Sequence, residues 1–360
     1  MTNRMTWAIL GTGAVSRKFA LGLGALDGLA SVGPIASRTA ANADAMARSL
    51  GLGKAVTTYE EAVADPSVDA VYIATPPALH EAHALMAFAA GKPALIEKPL
   101  AHNADAARRI AEAAESAGVF AMEAMWTRFL PIVAQITSRI EAGVIGEPRG
   151  FHGSFLGANI PDETTSLFAP ETGGALLHRG VYPLSLARHF LGPITDVSAR
   201  ARLGETGVDE DIVVTLVHAS GAVSDVRASI RASGRNDCAV WGTAGRIDID
   251  GPVWRPTGAR IFRVAPAPVT RATPRRFEAF RESATGQRIA DQVARLRRMA
   301  SGKTTVLRAR MRGNGYAHEA AHLMDCVAAG RRQSEVMPLA QSVEILAIVD
   351  RALAEVREAP

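Results

Sequence analysis

The stretch Ala94-Leu95-Ile96-Glu97-Lys98-Pro99 joins an apolar run to two opposite charges and a proline. The apolar run fits a buried strand of a parallel sheet. Pro99 lacks a backbone N–H, so the strand should end there. Glu97 and Lys98 are then expected at the sheet edge where open α/β folds bind ligands. Burial can tune the pKa of a lysine in such a place. The alternative is that Glu97 and Lys98 form a solvated ion pair without a chemical role.

A histidine and a tyrosine stand four residues apart in the glycine-flanked segment 173–183. If that segment is one continuous helix, His178 and Tyr182 share a face. An imidazole and a phenol on one face can move a proton to or from a reacting group. Such a pair is more often structural, so the catalytic and the structural interpretations both stay open from these residues alone.

Strand and helix patterns alternate in the N-terminal part of the chain, which must position Glu97 and Lys98. Apolar runs alternate with segments of helical periodicity, and glycine or proline separates them. That alternation is typical of a doubly wound parallel sheet, the Rossmann architecture of the α/β class. The predicted strands are 7–10, 32–36, 69–74, 94–97 and 119–122, and the predicted helices are 16–26, 43–50, 80–90 and 104–117.

The pattern changes after about residue 125, which divides the chain into a predicted Rossmann domain, 1–124, and a second α/β domain, 125–360. Consecutive strand-like runs joined by turns that contain glycine predict an open, largely antiparallel sheet in the second domain. The runs are 151–155, 197–203, 212–218, 223–232, 238–241 and 246–250, with helices at 126–140, 173–191, 316–328 and 339–356.

Glycines at the end of the first strand indicate a dinucleotide site. Gly11 and Gly13 would let the backbone approach a pyrophosphate at a helix N-terminus, although Ser16 replaces the third glycine of the usual fingerprint. Ser37 and Arg38 follow the second strand, where an NAD-preferring fold would carry an acidic residue. A hydroxyl and a guanidinium complement a 2′-phosphate, so NADP is favoured over NAD.

Composition narrows the class of protein and its partners. The 360 residues carry a formal net charge of +4, which argues only weakly for an anionic ligand. The arginine-rich segment 271–312 lacks the aromatic pattern of a nucleic-acid platform, so no nucleic-acid partner is expected. Two distant cysteines predict neither a disulfide framework nor a metal site. Without a signal-peptide pattern or a membrane-length apolar run, we expect a soluble, cytoplasmic protein.

Several motifs together resemble the Gfo/Idh/MocA oxidoreductase family over the whole chain. They are Gly11-Thr-Gly13, Ala74-Thr75-Pro76, Glu97-Lys98-Pro99, Gly173-Gly174-Ala…Gly180-Val-Tyr182, Gly242-Thr-Ala-Gly245, Gly313-Asn-Gly-Tyr316 and Met337-Pro-Leu-Ala-Gln-Ser342. The stretch from Met122 to Pro131 resembles the branch that contains dimeric dihydrodiol dehydrogenase, glucose–fructose oxidoreductase and 1,5-anhydrofructose reductase. That branch favours NADP.

The resemblance implies roles for individual residues. Lys98 would contact the reacting oxygen, and Tyr182 would donate or accept the proton. His178 stands where this branch usually has an aspartate, so it would relay the proton or bind a polar substrate group, or else mark a loss of activity. Trp126 and Arg128 would line the nicotinamide or substrate cleft. The expected cofactor-binding residues are Gly11, Thr12, Gly13, Ala14, Val15, Ser37, Arg38, Ala74, Thr75, Pro76, His80, Glu97, Lys98, Trp126 and Arg128.

The expected function is NADP(H)-dependent hydride transfer to or from a hydroxyl or carbonyl carbon of a sugar, cyclic polyol or diol. The alternatives are an NAD-linked polyol dehydrogenase of the inositol type and a non-catalytic dinucleotide-binding regulator. Among the predicted contacts, His80 could equally serve only to begin its helix. In the family one face of the open sheet commonly forms a dimer interface, so a homodimer or a higher homo-oligomer is expected.

Overall fold

The first sheet has six parallel strands in the order β3-β2-β1-β4-β5-β6. The structure is a computed structural model that describes residues 4–170, 172–265, 278–300 and 304–358. Strands of this sheet are β1 (Met5–Leu10), β2 (Ala30–Ala36), β3 (Lys54–Ala55), β4 (Ala70–Ile73), β5 (Ala94–Glu97) and β6 (Ala121–Ala124). The strand order reverses between β1 and β4, which is where doubly wound folds open a ligand crevice.

Five helices connect these strands, and local capping sets their ends. The helices are α1 (Ala14–Leu23), α2 (Ala40–Leu50), α3 (Tyr59–Ala64), α4 (His80–Ala89) and α5 (Ala104–Ala117). The Asn103 side chain accepts a hydrogen bond from the backbone N–H of Ala106 at 2.8 Å, so α5 begins where the sequence predicts. Every residue of β4, β5 and β6 is buried, and all of them are apolar except Glu97 in β5 and Glu123 in β6.

The second sheet has eight strands in the order β14-β13-β12-β11-β7-β10-β9-β8. Its strands are β7 (Pro148–Leu156), β8 (Ile194–Leu203), β9 (Asp209–His218), β10 (Val223–Ser229), β11 (Cys238–Gly242), β12 (Gly245–Ile249), β13 (Gly258–Arg263) and β14 (Thr304–Arg308). The pair β7 and β10 is parallel, and the other neighbouring pairs are antiparallel. The predicted α/β class with an open, largely antiparallel second sheet is confirmed.

The remaining helices follow the first sheet in the chain. They are α6 (Pro131–Glu141), α7 (Val181–Leu191), α8 (Glu278–Arg281), α9 (Ala284–Ala300), α10 (Tyr316–Ala328) and α11 (Leu339–Glu358). Helix α10 packs on α1, and α11 packs on both α5 and β8. We propose a domain boundary at 124/125, because the first sheet ends at Ala124. No helix in the described ranges has both the length and the apolarity that a membrane span needs.

The structure corrects several predicted element bounds. The first helix ends at Leu23 and continues as a 3₁₀ turn, Gly24–Leu26, because the glycines there weaken the helix. The strand predicted at 119–122 lies at Ala121–Ala124, since Glu123 is buried and accepts the backbone N–H of Leu100 at 3.0 Å. The helix predicted over 126–140 begins as a 3₁₀ turn, Trp126–Phe129, and restarts as an α-helix at Pro131, where the proline predicts a kink or a restart.

Within the basic segment, residues 271–277 and 301–303 lie outside the described residues. Residues 278–300 form α8 and α9, in agreement with the helical spacing of Ile289, Val293, Leu296 and Met299 in the sequence. The end of the segment instead holds β14, which pairs with β13 at the edge of the second sheet. Neither strand is predicted by the sequence, because arginines interrupt the short apolar run of β13 and two threonines begin β14.

Candidate active site

A cleft of about 470 Å³ opens at the carboxyl edge of the first sheet, where β1, β2, β4 and β5 end. Its position agrees with the ligand crevice expected at the reversal of strand order. The residues that line it are Gly11, Thr12, Gly13, Ala14, Val15, Ser16, Ser37, Arg38, Asn42, Tyr59, Ala74, Thr75, Pro76, Pro77, Leu79, His80, Glu97, Lys98, Ser166 and His178. The structure therefore brings together every predicted cofactor-binding residue except Trp126 and Arg128.

Glycine occupies positions 11 and 13 of the first turn for different structural reasons. Gly11 has φ of 109°, and a Cβ there would lie 2.5 Å from the carbonyl oxygen of Ala74. A side chain is excluded because two strand ends meet at that point. Gly13 is the N-cap of α1, and a Cβ there would meet nothing within 4 Å. The space over Gly13 is therefore open to an anion at a helix N-terminus.

The end of β2 carries hydroxyl and guanidinium groups. The hydroxyls of Thr12 and Ser37 lie 3.2 Å apart. Arg38 and Asn42 line the same part of the cleft. Burial raises the pKa of the Tyr59 phenol, while the nearby backbone and charge of Arg38 lower it. Glu97, which belongs to the end of β5, is the one carboxylate among the described residues that line the cleft.

Lys98 is held against the second half of the chain. Its ammonium donates a hydrogen bond to the main-chain oxygen of His178 at 3.0 Å. The same nitrogen lies 4.9 Å from the centre of the Tyr182 ring. Burial lowers the pKa of Lys98, and the carboxylates of Glu97 and Glu123 act in the opposite direction. Lysine and tyrosine are therefore neighbours across the two halves of the chain, as the sequence predicts.

His178 lies in a π-helical turn, Leu176–Gly180, so the helix predicted over 173–191 begins at Ala175 and is a regular α-helix only from Val181. The wider turn moves His178 off the regular i, i+4 face that it would share with Tyr182. The imidazole Nε2 donates to the main-chain oxygen of Thr172 at 2.8 Å. Burial, assisted by the charge of Lys98, lowers the pKa of His178 to about 4, so its ring is neutral near pH 7.

The turn that carries His178 is itself anchored by an acidic residue that sequence inspection missed. Asp209, at the start of β9, is buried and accepts the backbone N–H of Leu176 at 2.7 Å. Burial raises the pKa of Asp209 to about 7. No local signal in the sequence marks this contact, because the two residues are brought together only by the fold.

Aromatic rings surround the Tyr182 side chain. Phe155 lies 5.7 Å from Tyr182 and stacks on Trp254 at 4.2 Å between centroids. Trp126 stacks on Tyr316 at 4.6 Å. Burial raises the pKa of Tyr182, and nearby Glu97 raises it further, whereas the Trp126 indole lowers it. Trp126 thus lies beside Tyr182 although it does not line the cofactor cleft.

Three glutamates are buried beneath the cleft. Burial raises the pKa of Glu97 to about 7, even though Glu97 accepts hydrogen bonds from the Tyr72 hydroxyl at 2.5 Å and from the backbone N–H of Lys98 at 3.1 Å. Burial also raises the pKa of Glu123. Burial raises the pKa of Glu319 well above its usual range, and repulsion from the other two carboxylates adds to the shift. Burial therefore disfavours the charged form of all three carboxyl groups.

His80 and Arg128, which are predicted to contact the cofactor, are buried and lie mainly against other groups of the protein. His80 is buried, and its two ring nitrogens lie 3.1 Å from the oxygen of Pro99 and 2.7 Å from that of Thr75. It ties together the turns after β4 and β5. Arg128 is also buried, and it lies outside the cleft among Ser185, Val336 and Gln341. Arg128 therefore does not line the cleft in this structure, because the 3₁₀ turn Trp126–Phe129 carries its guanidinium to the C-terminal segment, and its contact with the cofactor stays a prediction.

Residues that line the cleft but escaped prediction are Ser16, Asn42, Tyr59, Pro77, Leu79 and Ser166. Ser16 was noticed only as the missing third glycine. Its hydroxyl is buried in the first turn of α1 without a partner among the described residues. Tyr59 and Ser166 come from segments without a motif, so only the fold shows that they belong to the site.

The residues present fit a dinucleotide. The open space over Gly13 and the unpartnered Ser16 hydroxyl meet at the N-terminus of α1, where a pyrophosphate would lie. Ser37 and Arg38 stand where the adenosine ribose would end. Lys98 and His178 close the opposite end of the cleft.

Comparisons with known proteins agree with this geometry. Residues 5–125 match the family described as oxidoreductase family, NAD-binding Rossmann fold, and residues 133–248 match the GFO/IDH/MocA C-terminal domain. A trans-1,2-dihydrobenzene-1,2-diol dehydrogenase from Oryctolagus cuniculus is 32% identical and covers 90% of this chain and 89% of its own. Its counterpart from Sus scrofa is 32% identical and covers 99% and 96%.

Solved structures share the fold at lower identity. A levoglucosan dehydrogenase complexed with NADH and L-sorbose has a TM-score of 0.81 at 21% identity and covers 99% of this chain and 97% of its own. A 3-ketoreductase from Actinomadura kijaniata, complexed with NADP and TDP-benzene, has a TM-score of 0.76 at 23% identity and covers 98% of each chain. The resemblance to the dihydrodiol dehydrogenase branch is confirmed, and the chain belongs to the Gfo/Idh/MocA family of NAD(P)-dependent oxidoreductases.

Proposed function

We propose that this protein transfers hydride between NADP(H) and a hydroxyl or carbonyl carbon of a sugar, cyclic polyol or diol. The observation that carries the proposal is the meeting of Lys98 and Tyr182 at one end of the dinucleotide cleft. The names of the curated relatives and of the structural neighbours, which include a diol dehydrogenase and a levoglucosan dehydrogenase, support this class of substrate.

The nicotinamide ring, when bound, supplies or accepts the hydride. The chain's own residues deal with the charge and the proton. Lys98 stabilises negative charge that develops on the reacting oxygen, by its charge and by the hydrogen atoms not given to the His178 carbonyl. Tyr182 donates or accepts the proton. Because its phenol has a raised pKa, Tyr182 holds a proton at neutral pH and can give it to an alkoxide.

His178 acts, in this proposal, through its main chain. The main-chain oxygen of His178 accepts a hydrogen bond from Lys98 and so fixes the ammonium. The ring donates its Nε2 proton to the main-chain oxygen of Thr172. The other ring nitrogen, Nδ1, then carries no proton for the relay that the sequence suggests. The stacked rings of Phe155 and Trp254 offer an apolar wall to the C–H faces of a ring-shaped substrate. Arg179, which donates to the main-chain oxygen of Gly157, fixes the start of the neighbouring loop.

Replacing Tyr182 with phenylalanine tests the chemistry. The variant keeps the ring under Lys98 but removes the hydroxyl, so kcat should fall about 10²-fold or more while NADPH binds as in the parent. The measurement is NADPH oxidation with a panel of ketoses, cyclic ketones and diols in both directions, alongside NADPH binding by fluorescence. Binding without turnover on a broad panel would favour the regulator over the enzyme.

Replacing Arg38 with alanine tests the choice of cofactor. Loss of a charge-assisted contact to a 2′-phosphate should weaken NADP⁺ binding about 10- to 100-fold and leave NAD⁺ binding within about twofold. The matched control is Arg48→Ala, since Arg48 is exposed and paired with Asp44 outside the cleft. Equal affinities of the parent protein for the two cofactors would instead support the NAD-linked alternative.

We also propose that the protein forms a homodimer through the open face of the second sheet and that it acts in the cytoplasm. Trp241 and Val223 flank Gly150 on that face and are 37% and 47% exposed. Val306 on the edge strand β14 is 56% exposed. Exposed apolar side chains in neighbouring strands are a feature of interacting surfaces.

A further inference from the structure

Outside the cleft, three side chains of different chemistry converge at the C-terminal end of α10. His322 and Cys326 are four residues apart, so the helix presents them on one face. Glu335 comes from the loop between α10 and α11. The His322 Nε2 lies 3.3 Å from the Cys326 Sγ and 4.0 Å from the Glu335 Oε2, and the three atoms all lie within 4.8 Å of one another.

Nitrogen, sulfur and carboxylate oxygen together form a donor set that Zn²⁺ prefers. Metal–ligand bonds of about 2.0–2.3 Å place neighbouring ligand atoms of a tetrahedral site roughly 3.3–3.8 Å apart. The separations around His322 lie close to that range. Glu335 is exposed on a loop, so a small movement of its carboxylate would bring it within bonding distance of an ion held by His322 and Cys326.

The hydrogen bonds around His322 keep a lone pair on Nε2, the nitrogen that faces Cys326 and Glu335, and a bound ion would take the place of the Ser334 hydrogen there. The Ser334 hydroxyl oxygen accepts the backbone N–H groups of Val336 at 3.1 Å and Met337 at 2.9 Å. Its own hydrogen is therefore available to the His322 Nε2, which lies 2.8 Å away. A nitrogen that accepts a hydrogen bond carries a lone pair, and a lone pair is what metal ligation requires.

The helix side of the cluster is already rigid. Cys326 is fully buried, and the His322 ring packs against Phe129 at 5.0 Å. The loop side is held by Arg331, whose guanidinium lies 2.6 Å from the Glu335 carboxylate. Arg331 therefore competes with any cation for Glu335.

We propose that His322 Nε2, Cys326 Sγ and the Glu335 carboxylate bind a borderline-soft divalent cation of the Zn²⁺ class, with water in the fourth position. Bonds form from the ion to nitrogen, sulfur and oxygen, and the S–H bond breaks. The thiol proton leaves to solvent, so each ion that binds releases about one proton. No electron is transferred. This donor set was not expected from two distant cysteines, because the sequence does not show that one cysteine meets a histidine and a glutamate.

Binding would fasten the loop to α10. That loop supplies the main-chain oxygen of Val336 to Arg128, two residues from Trp126. The ion would thus support the wall of aromatic residues beside Tyr182 without touching the reaction. Its role is structural, and its detection does not depend on turnover or on bound cofactor.

Titration of the untagged chain with Co²⁺ tests the site, because a thiolate bound to Co²⁺ gives a near-ultraviolet charge-transfer band. We expect a band that saturates at about one ion per chain, disappears when Zn²⁺ is added, and accompanies the release of about one proton. The two cysteines provide a matched pair of variants. Cys238→Ser, at the other buried cysteine, should keep the band, and Cys326→Ser should abolish it.

Arg331→Ala adds a test that does not alter the ligands. Release of Glu335 from the guanidinium should tighten Co²⁺ binding about two- to fivefold. Glu335→Gln, at an exposed position that should not disturb folding, should weaken it. The proposal is overturned if the parent shows no thiolate band at stoichiometric Co²⁺, or if the band survives in Cys326→Ser.

Discussion

Replacing Lys98 with methionine is expected to lower kcat/KM by about 10²–10³-fold, the usual effect of removing one group that stabilises a developing oxyanion. Methionine keeps much of the length of the side chain but cannot donate to the His178 oxygen, which lies 3.0 Å from the ammonium in the parent. Steady-state kinetics with the best substrate of the panel measure the effect. Cofactor binding should change much less than kcat.

The chain offers an unusually close control for this experiment. Lys92 lies just before β5, whereas Lys98 lies just after it, and the Lys92 ammonium also donates to a main-chain oxygen, that of Val68, at 2.6 Å. Lys92→Met therefore removes the same kind of bond at the opposite edge of the sheet and should leave kcat/KM within about twofold. If Lys98→Met retains the activity of Lys92→Met, Lys98 has no part in the reaction.

Replacing Arg128 with methionine is expected to cost stability, about 2–4 kcal/mol in the free energy of unfolding. The guanidinium is buried, and it donates to the main-chain oxygens of Ser185 at 3.3 Å and Val336 at 2.6 Å. Its removal leaves buried oxygens without donors, which is costly for each group. Urea denaturation at pH 7 measures the loss.

The same variant separates the two roles considered for Arg128. A cofactor contact would weaken NADPH binding, whereas the structural role leaves the dissociation constant of the folded variant within about threefold. Arg109→Met is the control, since Arg109 pairs with Glu81 through two bonds of 2.6 and 2.7 Å but is exposed. The loss of this exposed pair should cost much less stability than the loss of Arg128. Equal losses of stability in the two variants would contradict the buried role.

Burial also gives Arg128 an unusual acid–base property. Desolvation of its charge lowers the pKa of the guanidinium to about 9, with a smaller effect of Arg188 in the same direction. The charged form therefore costs free energy in the folded chain, and the hydrogen bonds to Ser185, Val336 and Gln341 offset that cost. This balance explains why the position needs a fork of several N–H donors.

Much of the fold follows from the sequence because the strands of a parallel sheet are apolar throughout. The runs at β1, β4 and β5 are short, buried and bounded by glycine or proline, so periodicity alone identifies them. The strands β13 and β14 at one side of the second sheet differ, because arginines interrupt the short apolar run of β13, and β14 begins with two threonines and follows an arginine-rich segment. Their place depends on pairing across the sheet, which local sequence does not encode.

The candidate site likewise contains some residues that the sequence predicts and others that it does not. Gly11, Gly13 and Lys98 were found because each stands at the end of a recognisable strand. The π-turn around His178 was missed because its sequence has ordinary helical residues, and its anchor, Asp209, lies far away in the chain. Contacts between distant segments are set by the packing of the two sheets, and no spacing in the sequence reports them.

The packing of the last two helices has a consequence for how the chain is made. The first sheet is complete at Ala124, yet α1 and α5 are covered by α10 and α11, as in the bonds from Asn314 to the Lys18 oxygen at 2.7 Å and from the Ala104 N–H to Asp350 at 2.8 Å. On the ribosome these two helices emerge after the strands of both sheets. We expect the nascent nucleotide-binding half to keep the apolar faces of α1 and α5 uncovered until α10 and α11 have been synthesised.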